Sequence, residues 1–421
     1  MISFWRIFSL ELLLALRSRT LPLLLAVSAL YLFAVPRFVV DDGTAAGARE
    51  LIVRFSLGGV FLITLLSLTM SATGALARER ATHRLMLTTV RPVRYTVIAL
   101  GKWLALSVAG VLPLALAAVW TAAAYGTGGR CCHVLSPILE SPREEAEKMY
   151  EVYMADPDTP EEVKKAPKGD VIALLELKAE EHYLPIATNA SCAWRFPAVS
   201  GGIGDDVRVR MRFATDFDLR RDVRGVVSYA GFSGAITNIT QAESEFRLTR
   251  TPGAPAAADV LAFANRGSDA LMLRPRKDVK VLVPADGGGW NLVRATIELE
   301  SVLALVLAFA VFLGAVLARP PAMFAVIGLL VVAELGPSAL ERHPDPLNAG
   351  FLDRIGFKLT RVAMELTHPV SALDPAGTYA RGECVEGRET AETFAADFVL
   401  LPLVFALLSG LLIPLRPDET A

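Results

Sequence analysis

Cys131, Cys132 and His133 stand consecutively in the chain, and these are the residue types that hold copper or zinc or close disulfides. Cys192 and Cys384 complete an even set of four cysteines. Adjacent cysteines pair with each other only under strain, so the disulfide reading joins Cys131 and Cys132 separately to Cys192 and Cys384. The metal reading would enlist His133, His182, His343 and His368, which show no recognised ligand spacing. Disulfides are therefore expected, free thiols are the remaining option, and no metal site is assigned.

A second chemistry is electrostatic. The segment 78–102, RERATHRLMLTTVRPVRYTVIALGK, carries five arginines (Arg78, Arg80, Arg84, Arg91 and Arg94) against one acid, Glu79. Such arginines pair with acids on a partner or with anionic lipid headgroups. Leu85, Leu87 and Val90 lie among them, and that amphipathic mixture suits a helix facing a partner or a membrane surface. Catalytic motifs are missing. The chain has no G-x-x-x-x-G-K-[ST], no H-E-x-x-H and no G-x-S-x-G, and no apolar stretch carries paired carboxylates. An enzyme is not expected, and nothing in the net charge of −2 points to nucleic acid.

The elements that position these residues follow from hydropathy. A mean hydropathy of +0.44 with 53% hydrophobic residues exceeds that of a soluble domain, yet 20% charged residues is too many for membrane spans alone. About 20 apolar residues cross the hydrocarbon core, and six stretches qualify: 21–40, 55–77, 103–125, 302–318, 322–340 and 398–415. No cleavable signal is evident before the first. Arg6, Arg17, Arg19, the arginine loop, Arg319 and Arg416 all fall on one side of a six-span arrangement, which the positive-inside rule makes cytoplasmic. Both termini are then inside. The four cysteines fall outside, where an oxidising compartment permits disulfides. Within the spans, Arg37, Pro113 and Glu334 read as a snorkelling residue, a tolerated kink and a residue at a helix end.

The expected domains are 1–125, with an interfacial helix, three spans and the 78–102 loop; 126–296, extracytoplasmic; and 297–421, three spans with an outer loop 341–397. In the middle domain, helices are expected over 141–184. Ser141-Pro142-Arg143-Glu144 and Thr159-Pro160-Glu161-Glu162 both read as helix starts, and 171–183 as a further helix. From 193 to 296 the period becomes twofold, as in DVRVRMRF, where Val207, Val209, Met211 and Phe213 share one face and Arg208, Arg210 and Arg212 the other. Further strands are expected near 225–229, 246–249, 260–264, 271–273, 279–283 and 292–299. Short strands with turn signals and no long helix between them favour an antiparallel β-sandwich. The expected fold is thus a polytopic α-helical membrane protein with six spans and an α+β outer domain, mainly β-sandwich.

The amino-terminal helix ending Leu16-Arg17-Ser18-Arg19, the span ending Ser71-Ala72-Thr73-Gly74-Ala75-Leu76-Ala77-Arg78-Glu79-Arg80, then Leu85-Met86-Leu87-Thr88-Thr89, Pro92-Val93-Arg94 and Leu100-Gly101-Lys102 resemble the permease subunit of ABC type 2 exporters. The resemblance covers chiefly 1–125. It implies that the Glu79-to-Arg94 region is a coupling helix docking on a separate ATPase, with Glu79, Arg80, Arg84, Arg91 and Arg94 as coupling residues. It also implies a homodimer or paired permease, with ATP and magnesium bound by the partner and no cofactor on this chain. Ser67, Ser71 and Gly74 would line a pathway or a dimer contact. The architecture suggests a bacterial inner membrane. The alternative from another class is a membrane-anchored scaffold whose outer domain binds a periplasmic partner or glycan; a metal-delivery factor using Cys131, Cys132 and His133 is a third.

Overall fold

The structure, a computed structural model, describes residues 2–39, 45–82, 93–126, 130–156, 164, 168–180, 182–198, 207–215, 221–240, 243–251, 259–341 and 374–413. In chain order, helices α1 (Ile2–Arg17), α2 (Thr20–Phe38), α3 (Ala45–Ala81) and α4 (Tyr95–Tyr125) precede strand β1 (Arg130–Leu135). Helices α5 (Pro142–Ala155) and α6 (Lys168–Glu180) follow. They lead into β2 (Leu184–Ile186), β3 (Ser191–Arg195), β4 (Val207–Arg212), β5 (Asp222–Tyr229), β6 (Phe232–Ile239), β7 (Glu243–Arg250), β8 (Val260–Asn265), β9 (Leu271–Leu273) and β10 (Val279–Gly287). The last part holds α7 (Gly288–Val316), α8 (Arg319–Glu341), α9 (Pro375–Ala380), α10 (Gly387–Thr393), a π-helical segment Phe394–Leu400 and α11 (Leu401–Leu412). Two compact units result, one containing α1–α4 and α7–α11, the other α5, α6 and most of the strands.

Five helical stretches of the first unit are long and apolar enough to cross a membrane: Thr20–Phe38, Gly47–Arg80, Tyr95–Tyr125, Gly288–Val316 and Gly387–Leu412. The sixth expected span coincides with α8, whose described apolar part, Arg319–Ala333, is shorter. α3, α4, α7 and the stretch from Gly387 begin eight or more residues before their apolar runs do. Arg54 interrupts the run in α3, and Arg294, Glu298 and Glu300 interrupt it in α7, yet helical burial persists through them. In α7 the buried positions Asn291, Leu292, Ala295, Glu298, Leu299 and Val302 recur every three to four residues. The strand expected at 292–299 is therefore helix, because its apolar spacing continues into the long run behind it.

α7 is the most enclosed of the five and packs against α3, α4 and α11. Two glycines permit these approaches. A β-carbon on Gly314 would lie 2.5 Å from the Thr73 carbonyl oxygen of α3, and one on Gly110 of α4 would lie 2.5 Å from Leu303 Cδ2 of α7. Trp103 of α4 donates its indole N–H to the Ala304 carbonyl of α7 at 2.8 Å. Its ring meets Phe398 of the π-helical segment at 5.4 Å between centroids. At the end of α2, Arg37 bonds the Phe33 carbonyl and stacks over the Phe33 ring, one turn back along the helix.

The second unit replaces the expected sandwich by one curled sheet. Eight strands join in the order β1-β10-β4-β7-β6-β5-β8-β3, antiparallel and half-barrel in form, beside a two-stranded β2-β9 sheet. Alternation in a strand reports one buried face but not what covers it; here curvature brings the inward side chains of a single sheet together. Val207, Val209, Met211 and Phe213 are fully enclosed, as their spacing requires. On the opposite face, Arg208 and Arg210 of β4 reach Glu245 of β7 at 2.9 and 3.2 Å, an ion-paired wall. β6 had no sequence signal of its own. It is set by the two-residue turn Ala230-Gly231, both at positive φ, which matches the twist of a tight hairpin.

The first expected helix start is present. Glu144 N–H donates to Ser141 Oγ while Ser141 N–H donates to Glu144 Oε2, a reciprocal capping box that opens α5. α5 and α6 bury Ala146, Val171 and Leu175 against each other. The start expected at Thr159 lies outside the described residues.

Cys131 bonds Cys384, tying the beginning of β1 to the turn that follows α9. The second expected bridge is not formed: Cys132, buried in β1, and Cys192, half-buried in β3, remain thiols. Burial pushes the Cys192 thiol up to about 12. Roughly one molecule in ten thousand then carries its thiolate at pH 8. Alkylation of Cys192 in the folded protein at pH 8 is therefore expected to run at least about a hundredfold slower than in the denatured chain. Peptide mass spectrometry of the Cys192 fragment checks this, and equal rates would refute it.

Candidate functional site

At one end of the first unit three helices converge on a buried cation. α1 lies along α4 because Gly101 has no β-carbon; one placed there would come within 2.8 Å of Ile7 Cγ2. The next residue, Lys102, has a side chain only 4% exposed. A buried ammonium is stable only with partners. Lys102 Nζ donates to Glu79 Oε1, at the end of α3, at 2.8 Å, and to Glu11 Oε1 on α1. One lysine thus joins three elements.

Arg80 turns the other way. Its guanidinium donates to the Ala315 carbonyl and, at 2.9 Å, to the Leu317 carbonyl. These sit at the end of α7, where helical carbonyls lack intrahelical donors. Two of the residues expected to face a partner, Glu79 and Arg80, therefore point into the protein. The physical reason is that the apolar helix ends also need charge satisfied, and the nearest groups are internal. Arg94 is exposed just before α4. Arg84 and Arg91 lie outside the described residues.

Of the small residues of α3, Ser67 and Ser71 are half-buried and Gly74 is buried. Ser71 Oγ donates back to the Ser67 carbonyl at 3.2 Å. Gly74 is buried beneath Arg319, whose Nε would lie 3.1 Å from a β-carbon there. This places Gly74 at a packing contact with the start of α8.

A set of polar residues that sequence reasoning passed over lies deeper. Asn291 of α7 donates to the Glu383 carbonyl and accepts from Val385 N–H, both at 2.7 Å. Glu298, 3% exposed, accepts from Thr390 Oγ1 at 2.8 Å. Asp397, 2% exposed, sits in the π-helical segment, a distortion found disproportionately at functional sites. Glu300 has both carboxyl oxygens closed off with no hydrogen-bonding partner. Placing the spans at 302 and 398 had put Glu298, Glu300 and Asp397 just outside them. The available signal was that these acids adjoin apolar runs with no turn residue between.

The chemistry open to these groups is limited. Among the described residues no three His, Cys, Asp or Glu side chains gather as metal ligands. A crevice between α4, α7 and α11, lined by Trp103, Val311, Phe405 and Ser409, holds room for about one water. What the arrangement can do is transmit displacement through the lysine cluster and hold or exchange protons at buried carboxyls. Compared with protein families, with curated proteins and with solved structures, the chain matches none.

Proposed function

We propose that this chain is the membrane-spanning permease subunit of an ATP-driven exporter of the ABC type 2 class. The observation that carries the reading is the Glu11–Lys102–Glu79 cluster. It fastens the amino-terminal helix, the end of α3 and the beginning of α4 at the two ends of the arginine-rich connection. A push on that connection by a separate ATPase would move all three together, and Arg80 would carry the displacement to the end of α7. In this reading Glu79 and Arg80 transmit force, while Arg84, Arg91 and Arg94 meet the partner or anionic lipid. α8 supplies a sixth span, the termini and arginine-rich ends are cytoplasmic, and 126–296 lies outside a bacterial inner membrane. Two copies of the permease pair with two ATPases, which hold the ATP and magnesium.

Co-purification in detergent with an ABC ATPase co-expressed with this chain tests the proposal. Wild type is expected to retain the ATPase; an Arg84→Ala, Arg91→Ala variant is expected to lose most of it. Glu79→Gln is expected to retain it with lowered permease-stimulated ATP hydrolysis. Failure to capture any ATPase with a trapped nucleotide would sink the exporter reading. The second reading, a membrane-anchored scaffold, is favoured by the second unit having a hydrophobic core of its own around Phe213, Tyr229 and Phe263. It predicts that deleting that unit abolishes function while ATPase capture is irrelevant.

A further inference from the structure

Glu300 has a buried carboxyl that neither the lysine cluster nor the Glu298–Thr390 bond accounts for. Both its carboxyl oxygens are closed off, and neither has a hydrogen-bonding partner among the described residues. What accessible surface the residue keeps is not at its carboxyl. Oε2 faces Gly110 of α4, 3.5 Å from where a β-carbon would stand, with Leu68 of α3 and Leu303 of α7 beside it. The group is therefore enclosed where α3, α4 and α7 meet.

Its depth follows from helix geometry. At about 1.5 Å per residue, Glu300 lies roughly 24 Å along α7 from Val316, Gly110 roughly 22 Å along α4 from Tyr95, and Leu68 roughly 20 Å along α3 from Ala81. All three place it within a hydrocarbon layer about 30 Å thick, roughly 6–10 Å from the side opposite those helix ends. Charges on the neighbouring helices are elsewhere or engaged. α3 has none between Arg54 and Arg78, and the single cation of α4, Lys102, is held by Glu11 and Glu79. α8 carries Arg319 at its start and Glu334 and Glu341 in its last two turns, the π-helical segment carries Asp397, and α11 has no charged residue. None of these is bonded to Glu300.

A solitary carboxylate transferred into such surroundings would cost far more than a folded protein can offset. We propose that Glu300 is a proton-exchange site within the membrane. Its carboxyl carries a proton while α3, α4 and α7 are closed over it, and releases that proton, leaving the carboxylate, when the helices part and water reaches it. The glycine at 110 suits this role, since it lets the helices close on the acid with no side chain between. Intramembrane acids with no structural partner commonly mark proton or ion pathways.

Dicyclohexylcarbodiimide tests this on the purified full chain, with no ATPase needed, so the outcome is independent of the exporter reading. The reagent modifies protonated carboxyls in apolar surroundings and leaves carboxylates untouched. Mass spectrometry is expected to locate the adduct on Glu300 at pH 6 and to find it at least about tenfold reduced at pH 9. Glu300→Gln should remove the adduct, and Glu298→Gln should leave it. Should Glu300→Gln fail to fold, the wild-type pH series decides alone. Absence of the adduct in folded protein overturns the proposal. So does equal labelling at both pH values, because the proton would then be locked in place.

Discussion

Lys102→Met is expected to destabilise the protein by about 3 kcal/mol. Breaking a buried ion pair from one side costs roughly 3–5 kcal/mol, because it strands the remaining charge. Here two acids are stranded together, Glu11 and Glu79, each bonded to Lys102 Nζ. Their side chains remain 22% and 28% exposed, so water softens the penalty and the lower end applies. The triple variant Glu11→Gln, Lys102→Met, Glu79→Gln removes the like-charge conflict and is expected to recover most of the loss. Thermal unfolding in detergent reads both. A Lys102→Met change within 0.5 kcal/mol of wild type, the scale of an ordinary surface substitution, would mean the cluster does not hold the three helices.

Gly314→Ala is expected to cost about 3 kcal/mol, and Gly314→Val to abolish accumulation of folded protein. The added carbon would meet Thr73 backbone, 2.5 Å from its oxygen and 3.1 Å from its carbonyl carbon. Backbone cannot rotate aside as a side chain can, so α3 must be pushed from α7, at the upper end of what overpacking costs. The same seam carries the Arg80 bonds to Ala315 and Leu317. Gly328 in α8 supplies the control, since nothing lies within 4 Å of a β-carbon there. Gly328→Ala is expected to be neutral or to stabilise by up to about 1 kcal/mol, through helix propensity alone. Equal behaviour of the two alanine variants, read by fluorescence-detected gel filtration after heating, would remove the close approach as an explanation.

The contrast between these glycines shows what a sequence carries and what it hides. Gly314 and Gly328 stand in similarly apolar runs, and only the packing separates them. Helix existence was legible because hydropathy and capping are local, as at Ser141–Glu144. Helix beginnings were not, because Arg294, Glu298 and Glu300 look like the end of a water-exposed region until Asn291, Thr390 and the α3–α4 seam are placed around them. The inward face of β4 was legible from alternation. The curl of the sheet was not, since it depends on strand order across the whole domain, and β4 pairs with β10 and β7 from much later in the chain. Glu79 and Arg80 were legible as charged residues at a helix end, but their inward partners, Lys102 and the Ala315 and Leu317 carbonyls, were not. Lys102, the residue that organises Glu79, drew attention only as part of a basic loop.

The Cys131–Cys384 bond spans 253 residues of sequence, and that separation sets a timetable for biosynthesis. At roughly 5–20 residues per second, Cys131 waits on the order of 10–50 s after its own synthesis before its partner exists. Throughout that interval it stands beside Cys132, and Cys192 emerges long before Cys384 does. The sheet that shelters Cys132 and Cys192 is synthesised within the wait, so its folding hides both rival thiols before the correct one arrives. The crosslink is consequently a late seal on an assembly whose earlier parts must already have chosen their places.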